Sequence, residues 1–168
     1  FLKQMQSSVH SCSQGGIRKG SATVYFPWWH AEIEDIMVLK NNKGTDDNRV
    51  RHMDYGIQFS RLFYQRFKEN ADVALFSPSV SKDLYEHFGD NEKFDALYLE
   101  LEANKKIERK TVKARDLMDL FNRERSGTGR LYVMNIDHAN SNSAFKEKIR
   151  MSNLCVEITL PTKPLSSI

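Results

Sequence analysis

Three side chains near the end of the chain, Asn153, Cys155 and Glu157, have types and spacing that suit chemistry at sulfur. They alternate within Ser152-Asn153-Leu154-Cys155-Val156-Glu157-Ile158. Read as an extended segment, this alternation puts all three on one face, because strand side chains repeat with period two. An amide, a thiol and a carboxylate then point the same way. The result is a reactive sulfur flanked by a hydrogen-bonding group and a base. A lone cysteine in an apolar strand is most often a small core hydrophobe. These residues alone therefore leave both readings open.

A second block lies far away in sequence. Cys12, Ser13, Gln14, Gly15, Gly16, Arg18, Lys19 and Gly20 surround Ile17 in a short polar stretch. Glycines at three of these positions free the backbone to approach a ligand or to change shape. Gln14 offers a planar amide and Arg18 a charged fork suited to phosphate. The bland alternative is a solvated basic turn. His30 and Glu34 are one helical turn apart, but two ligands without a third make a weak metal site. His10, His52, His87 and His138 show no ligand spacing, and no metal site is expected. Trp28-Trp29 reads as core packing. Residues 140–143 either contact substrate or form a plain polar loop.

The elements that must position these residues alternate in type. Residues 1–9 read as a helix end feeding the glycine block. Residues 22–26 form a buried strand closed by Pro27, followed by a helix over 29–39 that ends near Gly44. Residues 50–57 are a strand or turn leading into a helix over 57–68, striped by Phe59, Leu62, Phe63 and Phe67. A strand over 73–76 precedes a short helix capped by Ser81. Helices over 91–104 and 113–125 follow, the latter broken by Gly127 and Gly129. A strand over 130–136 leads into a polar loop over 137–151. Strands alternating with helices argue α/β with parallel pairing.

Composition bounds the rest. The chain has 168 residues, 40% hydrophobic and 28% charged, an ordinary composition with length for one core. A net charge of +3 with interspersed signs gives no basic stripe, so direct nucleic-acid binding is not supported. Two distant cysteines make no disulfide framework and suit a reducing compartment. No run approaches transmembrane length. Phe1 is not an initiator, and the first residues read as the middle of a helix. The chain is expected to be a fragment of a larger subunit.

Taken in order, these blocks resemble the large subunit of class I ribonucleotide reductase. The resemblance is carried by Ser11-Cys12-Ser13-Gln14-Gly15-Gly16-Ile17-Arg18, Phe26-Pro27-Trp28-Trp29-His30, Asn48-Arg49-Val50-Arg51-His52-Met53-Asp54-Tyr55-Gly56, Leu75-Phe76-Ser77-Pro78, Thr128-Gly129-Arg130-Leu131-Tyr132 and Ser152-Asn153-Leu154-Cys155 with Leu160-Pro161-Thr162-Lys163. It covers essentially the whole chain. The form Asn-Leu-Cys is more like class I than the cobalamin-dependent class, which shows Asn-Pro-Cys.

The resemblance implies a fold, part of a ten-stranded α/β barrel of two parallel half-barrels with the radical-cysteine loop inside. Within it, residues 1–22 are expected to hold a helix end and the specificity loop. Residues 23–136 would supply barrel strands and helices, and residues 137–168 the loop with the radical cysteine. It also implies reduction of ribonucleoside diphosphates to deoxyribonucleotides for DNA synthesis. Cys155 matches the thiyl position, Glu157 the base for the 3′-hydroxyl, and Asn153 the amide that holds sugar hydroxyls. Positioned acid–base groups contribute typically ~10²–10⁴-fold. Residues Cys12 to Gly20 match the loop between effector nucleotide and substrate base.

The family further implies a small (beta) subunit with a metal-containing radical generator, a large-subunit homodimer, ATP or dNTP effectors, a thioredoxin or glutaredoxin type reductant, and a cytoplasmic setting. No cofactor is expected on this stretch, and the chain alone is expected to be inactive without the remainder of the large subunit. Two other readings stand beside this one. One is a non-catalytic nucleotide-binding regulatory module of the same fold. The other is a different thiyl- or glycyl-radical enzyme of related barrel.

Overall fold

The computed structural model describes residues 1–162. The expected positions from Lys163 to Ile168 lie outside the described residues. The chain begins with helix α1 (Leu2–Ser11), followed by a tiny antiparallel hairpin of β1 (Ser13–Gln14) and β2 (Arg18–Lys19). Next come β3 (Thr23–Pro27), α2 (Ile33–Val38), β4 (Asp54–Phe59), α3 (Arg61–Glu69) and β5 (Asp72–Leu75). Helices α4 (Lys82–His87) and α5 (Asn91–Ala103) precede β6 (Lys110–Lys113), α6 (Ala114–Thr128), β7 (Leu131–Asn135) and α7 (Ile136–Ser141).

Strands β3, β4 and β7 form a parallel sheet with β4 in the centre. The expected α/β class with parallel pairing is what the structure shows, as an open sheet: no barrel closes among the described residues. Its two faces differ in role. Tyr55, Ile57 and Phe59 of β4 and Leu131 of β7 point to one face and are buried. Phe59 packs on Phe63 of α3 and Phe121 of α6, so helices cover that side. The opposite face carries Thr23 and Tyr25 of β3, Gly56 and Gln58 of β4, and Tyr132 and Met134 of β7, placed there by the in-register pairing.

Several expectations change. Residues 57–59 are strand, because β4 is paired with β3 as far as Gln58 and with β7 as far as Phe59. The helix starts only at Arg61, whose N–H donates to the buried Asp137 carboxylate at 2.7 Å. That carboxylate comes from α7 and satisfies a free first-turn donor. Helix α2 starts at Ile33, since Trp28 and Trp29 are spent on an aromatic core with Phe63, Phe94, Tyr98 and Phe88. Both tryptophans are fully buried, as expected of core packing.

Gly127 does not break α6, whereas Gly129 ends it in the left-handed region at φ 67°. Strand β6 falls where the sequence pattern predicts no strand. Its Lys-Thr-Val-Lys sequence has almost no apolar period, and it forms by antiparallel pairing with β5, Val112 opposite Val73. The polar stretch after β7 is not all loop either. Ile136 and Ala139 anchor α7 to the core.

Candidate active site

The residues 150–158 run along the sheet face opposite the helices, and side chains rather than ladder bonds hold them there. Gln58 donates to the Arg150 carbonyl at 2.6 Å. Tyr25 donates to the Asn153 carbonyl at 2.5 Å, and Thr23 to the Leu154 carbonyl at 2.6 Å. Just upstream, Asn140 and Ile149 exchange two hydrogen bonds of 2.9 Å. Asn140 therefore pins the chain, and the substrate-contact alternative for it gives way to a structural role.

Cys155 sits in a turn, not in an extended strand. The Asn153 N–H donates to the Ile158 carbonyl at 3.3 Å, and the Ile158 N–H donates to Asn153 Oδ1 at 3.0 Å. Ser152 closes the same turn by donating to the Ile158 carbonyl at 2.5 Å. Val156 takes φ 69°, a left-handed conformation that a β-branched residue adopts only when its surroundings hold it there. The simple alternation expected for Asn153, Cys155 and Glu157 is thus corrected. The three share one tight turn, with Asn153 bracing it from inside and Cys155 and Glu157 exposed.

Exposure argues against the core-hydrophobe alternative for Cys155. The thiol has chemical company as well. Burial, followed by the Cys155 thiol and then Asp54, raises the Tyr132 phenol above its ordinary value. Tyr25 is raised too, by burial first, while Ser152 beside it pulls the other way and Tyr132, Glu157 and Cys155 add to the rise. Tyr25, Gly56 and Tyr132 stand in one row across the sheet. Gly56 is required in that row: a methyl there would lie 2.5 Å from the Tyr25 ring. A cleft of about 380 Å³ opens beside the turn, lined among others by Met5, Tyr25, Gln58, Phe88 and Met151.

The glycine block forms the β1–β2 hairpin. Ser13 faces Lys19 and Gln14 faces Arg18, so the Gln14 and Arg18 side chains share a side. Gly15 and Gly16 take φ 60° and 73° at its tip, with Ile17 exposed beside them. Gly20 is forced by proximity, since a Cβ would lie 2.3 Å from the Val9 carbonyl oxygen. Cys12 is exposed, and its thiol makes a long contact to the Ser8 carbonyl. Among the described residues no hydrogen bond joins the hairpin to the Cys155 turn. The link is indirect: Ser21 and Ala22 separate Gly20 from Thr23, whose hydroxyl holds the Leu154 carbonyl.

Near the hairpin, Lys19 and Gly20 share a pocket with Lys40, Arg51, Arg130 and the stacked rings of His10 and His52. His30 and Glu34 do not converge on a metal. His30 Nδ1 accepts from the Glu32 N–H, and Glu34 is paired with Lys110. Among the described residues no group of three or more His, Cys, Asp or Glu is placed to hold a metal ion. No described helix is long and apolar enough to cross a membrane.

The family model described as "Ribonucleotide reductase, barrel domain" matches residues 1–168. The chain belongs to this family. It is 54% identical over 172 residues to the ribonucleoside-diphosphate reductase subunit alpha of Buchnera aphidicola subsp. Acyrthosiphon pisum, covering 100% of this chain and 23% of that protein. It is 50% identical to the ribonucleoside-diphosphate reductase 1 subunit alpha of Escherichia coli K12, over 99% of this chain and 22% of that protein. The ribonucleoside-diphosphate reductase large subunit of Dictyostelium discoideum is 36% identical over 89% of this chain and 17% of its own length. The chain thus spans less than a quarter of each relative.

For this ribonucleotide reductase barrel segment, sequence reasoning missed Thr23, Tyr25, Gly56, Gln58 and Tyr132. A faint signal existed for two of them. Thr23 and Tyr25 are hydroxyl residues two apart in an otherwise apolar strand, hence on one face. The others became visible only once strand register was known.

Proposed function

We propose that this chain is the central part of the catalytic large subunit of a ribonucleoside-diphosphate reductase, and that Cys155 carries its thiyl radical. One observation supports this above the rest: an exposed thiol held in a braced turn, with a carboxylate two residues on, in a chain that belongs to the reductase family. The radical on sulfur takes a hydrogen atom from ribose C3′, forming S–H and a carbon radical. Glu157 takes the 3′-hydroxyl proton, which eases loss of the 2′-hydroxyl as water. A cysteine pair elsewhere in the subunit protonates the departing 2′-hydroxyl and supplies the two electrons that complete reduction. It becomes a disulfide that a thioredoxin or glutaredoxin type protein reduces again. Glu157 returns its proton to O3′, and the Cys155 S–H returns its hydrogen atom to C3′, which restores the thiyl radical. Asn153 uses Oδ1 inside the turn, leaving its two amide N–H donors for the sugar hydroxyls.

The Gln14–Arg18 hairpin is assigned to substrate specificity under effector nucleotides. The exposed tip and its two left-handed glycines supply the freedom that such a role needs. A radical-generating small subunit, a homodimer of large subunits and a cytoplasmic setting complete the reading. Free, exposed cysteines agree with a reducing compartment.

The test uses a complete subunit containing this segment and 3′-tritiated substrate. Cys155→Ala is expected to abolish tritium release. Glu157→Gln is expected to slow turnover with little change in substrate affinity. Tritium release from Cys155→Ala would overturn the assignment. The 168-residue chain alone, given small subunit, reductant, effector and CDP, is expected to make no dCDP.

A further inference from the structure

We propose that Thr23 and Tyr25 are positioning residues for Cys155, acting through the two peptide groups that lead into it. The proposal rests on the assignment of Cys155 above. The Tyr25 hydroxyl binds the Asn153 carbonyl and the Thr23 hydroxyl binds the Leu154 carbonyl. Those carbonyls belong to consecutive peptide groups, the second being the peptide that ends at the Cys155 nitrogen. Fixing two successive peptide planes fixes the backbone dihedrals of Leu154 between them. It thereby sets the direction in which Cys155 leaves the turn.

The bonds from Ser152 and Asn153 to Ile158 close the turn on itself, whereas the two hydroxyls tie it to the sheet. Leu154, Cys155, Glu157 and Ile158 are all exposed, and of the turn's apolar side chains only Val156 packs against the core. No strand ladder includes it. Val156 sits in a costly conformation at φ 69°, which needs external restraint. The two donors are themselves rigidly based. They lie on β3, which is paired with β4 through every residue from Thr23 to Pro27. The Tyr25 ring also lies against Gly56. A hydrogen-atom transfer between sulfur and carbon is steep in distance. A misplacement of ~1 Å can cost on the order of a hundredfold.

The test uses a complete subunit carrying Tyr25→Phe, Thr23→Val or both, which keep shape and lose the hydroxyls. Turnover, KM for a ribonucleoside diphosphate, and the alkylation rate of Cys155 by iodoacetamide are measured. Each single variant is expected to lose about tenfold in kcat and the pair more, with KM unchanged and Cys155 alkylated several-fold faster. Thr23→Ser, which restores a donor, is expected to recover most of the Thr23→Val loss. Unchanged kcat in the double variant, a loss confined to KM, or no recovery with Thr23→Ser would each overturn the proposal. Cys155→Ala runs in parallel. If it retains turnover, the assignment of Cys155 fails; if it is dead while the double variant is normal, only the positioning role fails.

Discussion

Asn140 and Ile149 are joined by two hydrogen bonds, the side-chain amide of one pairing with the backbone of the other as a peptide would. The same Nδ2 also donates to the Ile136 carbonyl at 2.8 Å within α7, so the amide that ties α7 to the segment entering the Cys155 turn is itself braced by its own helix. Gly89 makes room for this amide; a methyl there would lie 2.8 Å from Nδ2.

Asn140→Ala therefore leaves the Ile149 backbone groups unpaired in a partly buried place. The expected cost is about 1–3 kcal/mol, and the expected locus is local. Hydrogen exchange should show faster exchange of the Ile149 amide while the β4 amides keep their protection. Asn140→Asp should not rescue, because a carboxylate accepts from Ile149 but cannot donate to the Ile136 and Ile149 carbonyls.

Gly56 and Tyr25 are expected to be energetically coupled. Gly56→Ala forces the Tyr25 ring from its place, an overpacking cost of about 1–3 kcal/mol. In a Tyr25→Ala background the added methyl has room, so the cost should fall toward zero. Denaturant unfolding of the four proteins gives the coupling directly. Additive effects would show that the close approach is relaxed elsewhere.

All six tyrosines are shifted upward, each with burial as the leading cause. Tyr85 is pushed up to about 12. The folded chain thus keeps phenol protons that the unfolded chain releases near pH 10. Stability contributed by these groups is fully present below pH 10 and lost as pH climbs through the folded values. Absorbance at 295 nm should stay low in the folded chain at pH 10, where the urea-unfolded chain is about half ionised. A folded chain that titrates like the unfolded one would contradict the full burial of Tyr55 and Tyr98.

Gln14→Ala and Arg18→Ala in a complete subunit should alter which substrate each effector favours, since the two side chains sit side by side on a glycine-tipped hairpin. Loss of one coupling contact is worth about 1–3 kcal/mol, a several-fold to hundredfold change in preference. Competition among four substrates with each effector measures it. A uniform loss across all pairs would assign the hairpin a structural role.

The sequence alone determined the family, the α/β class and the two segments rich in chemical groups. These rest on local features: helical stripes such as Leu62–Phe63, glycines at a tight hairpin, and motif residues within a few positions of each other. Tertiary structure decided what local patterns do not encode. Residues 57–59 read as the start of a helix until pairing with β3 as far as Gln58 and with β7 as far as Phe59 makes them strand. Strand β6 exists only because β5 offers it a ladder. The extended reading of Asn153, Cys155 and Glu157 fails because Ser152 and Asn153 close a turn on Ile158. Thr23 and Tyr25 lie well over a hundred residues from the carbonyls they hold. Contacts at that separation depend on how the whole chain packs and on sheet register, and neither is written in any short window of residues.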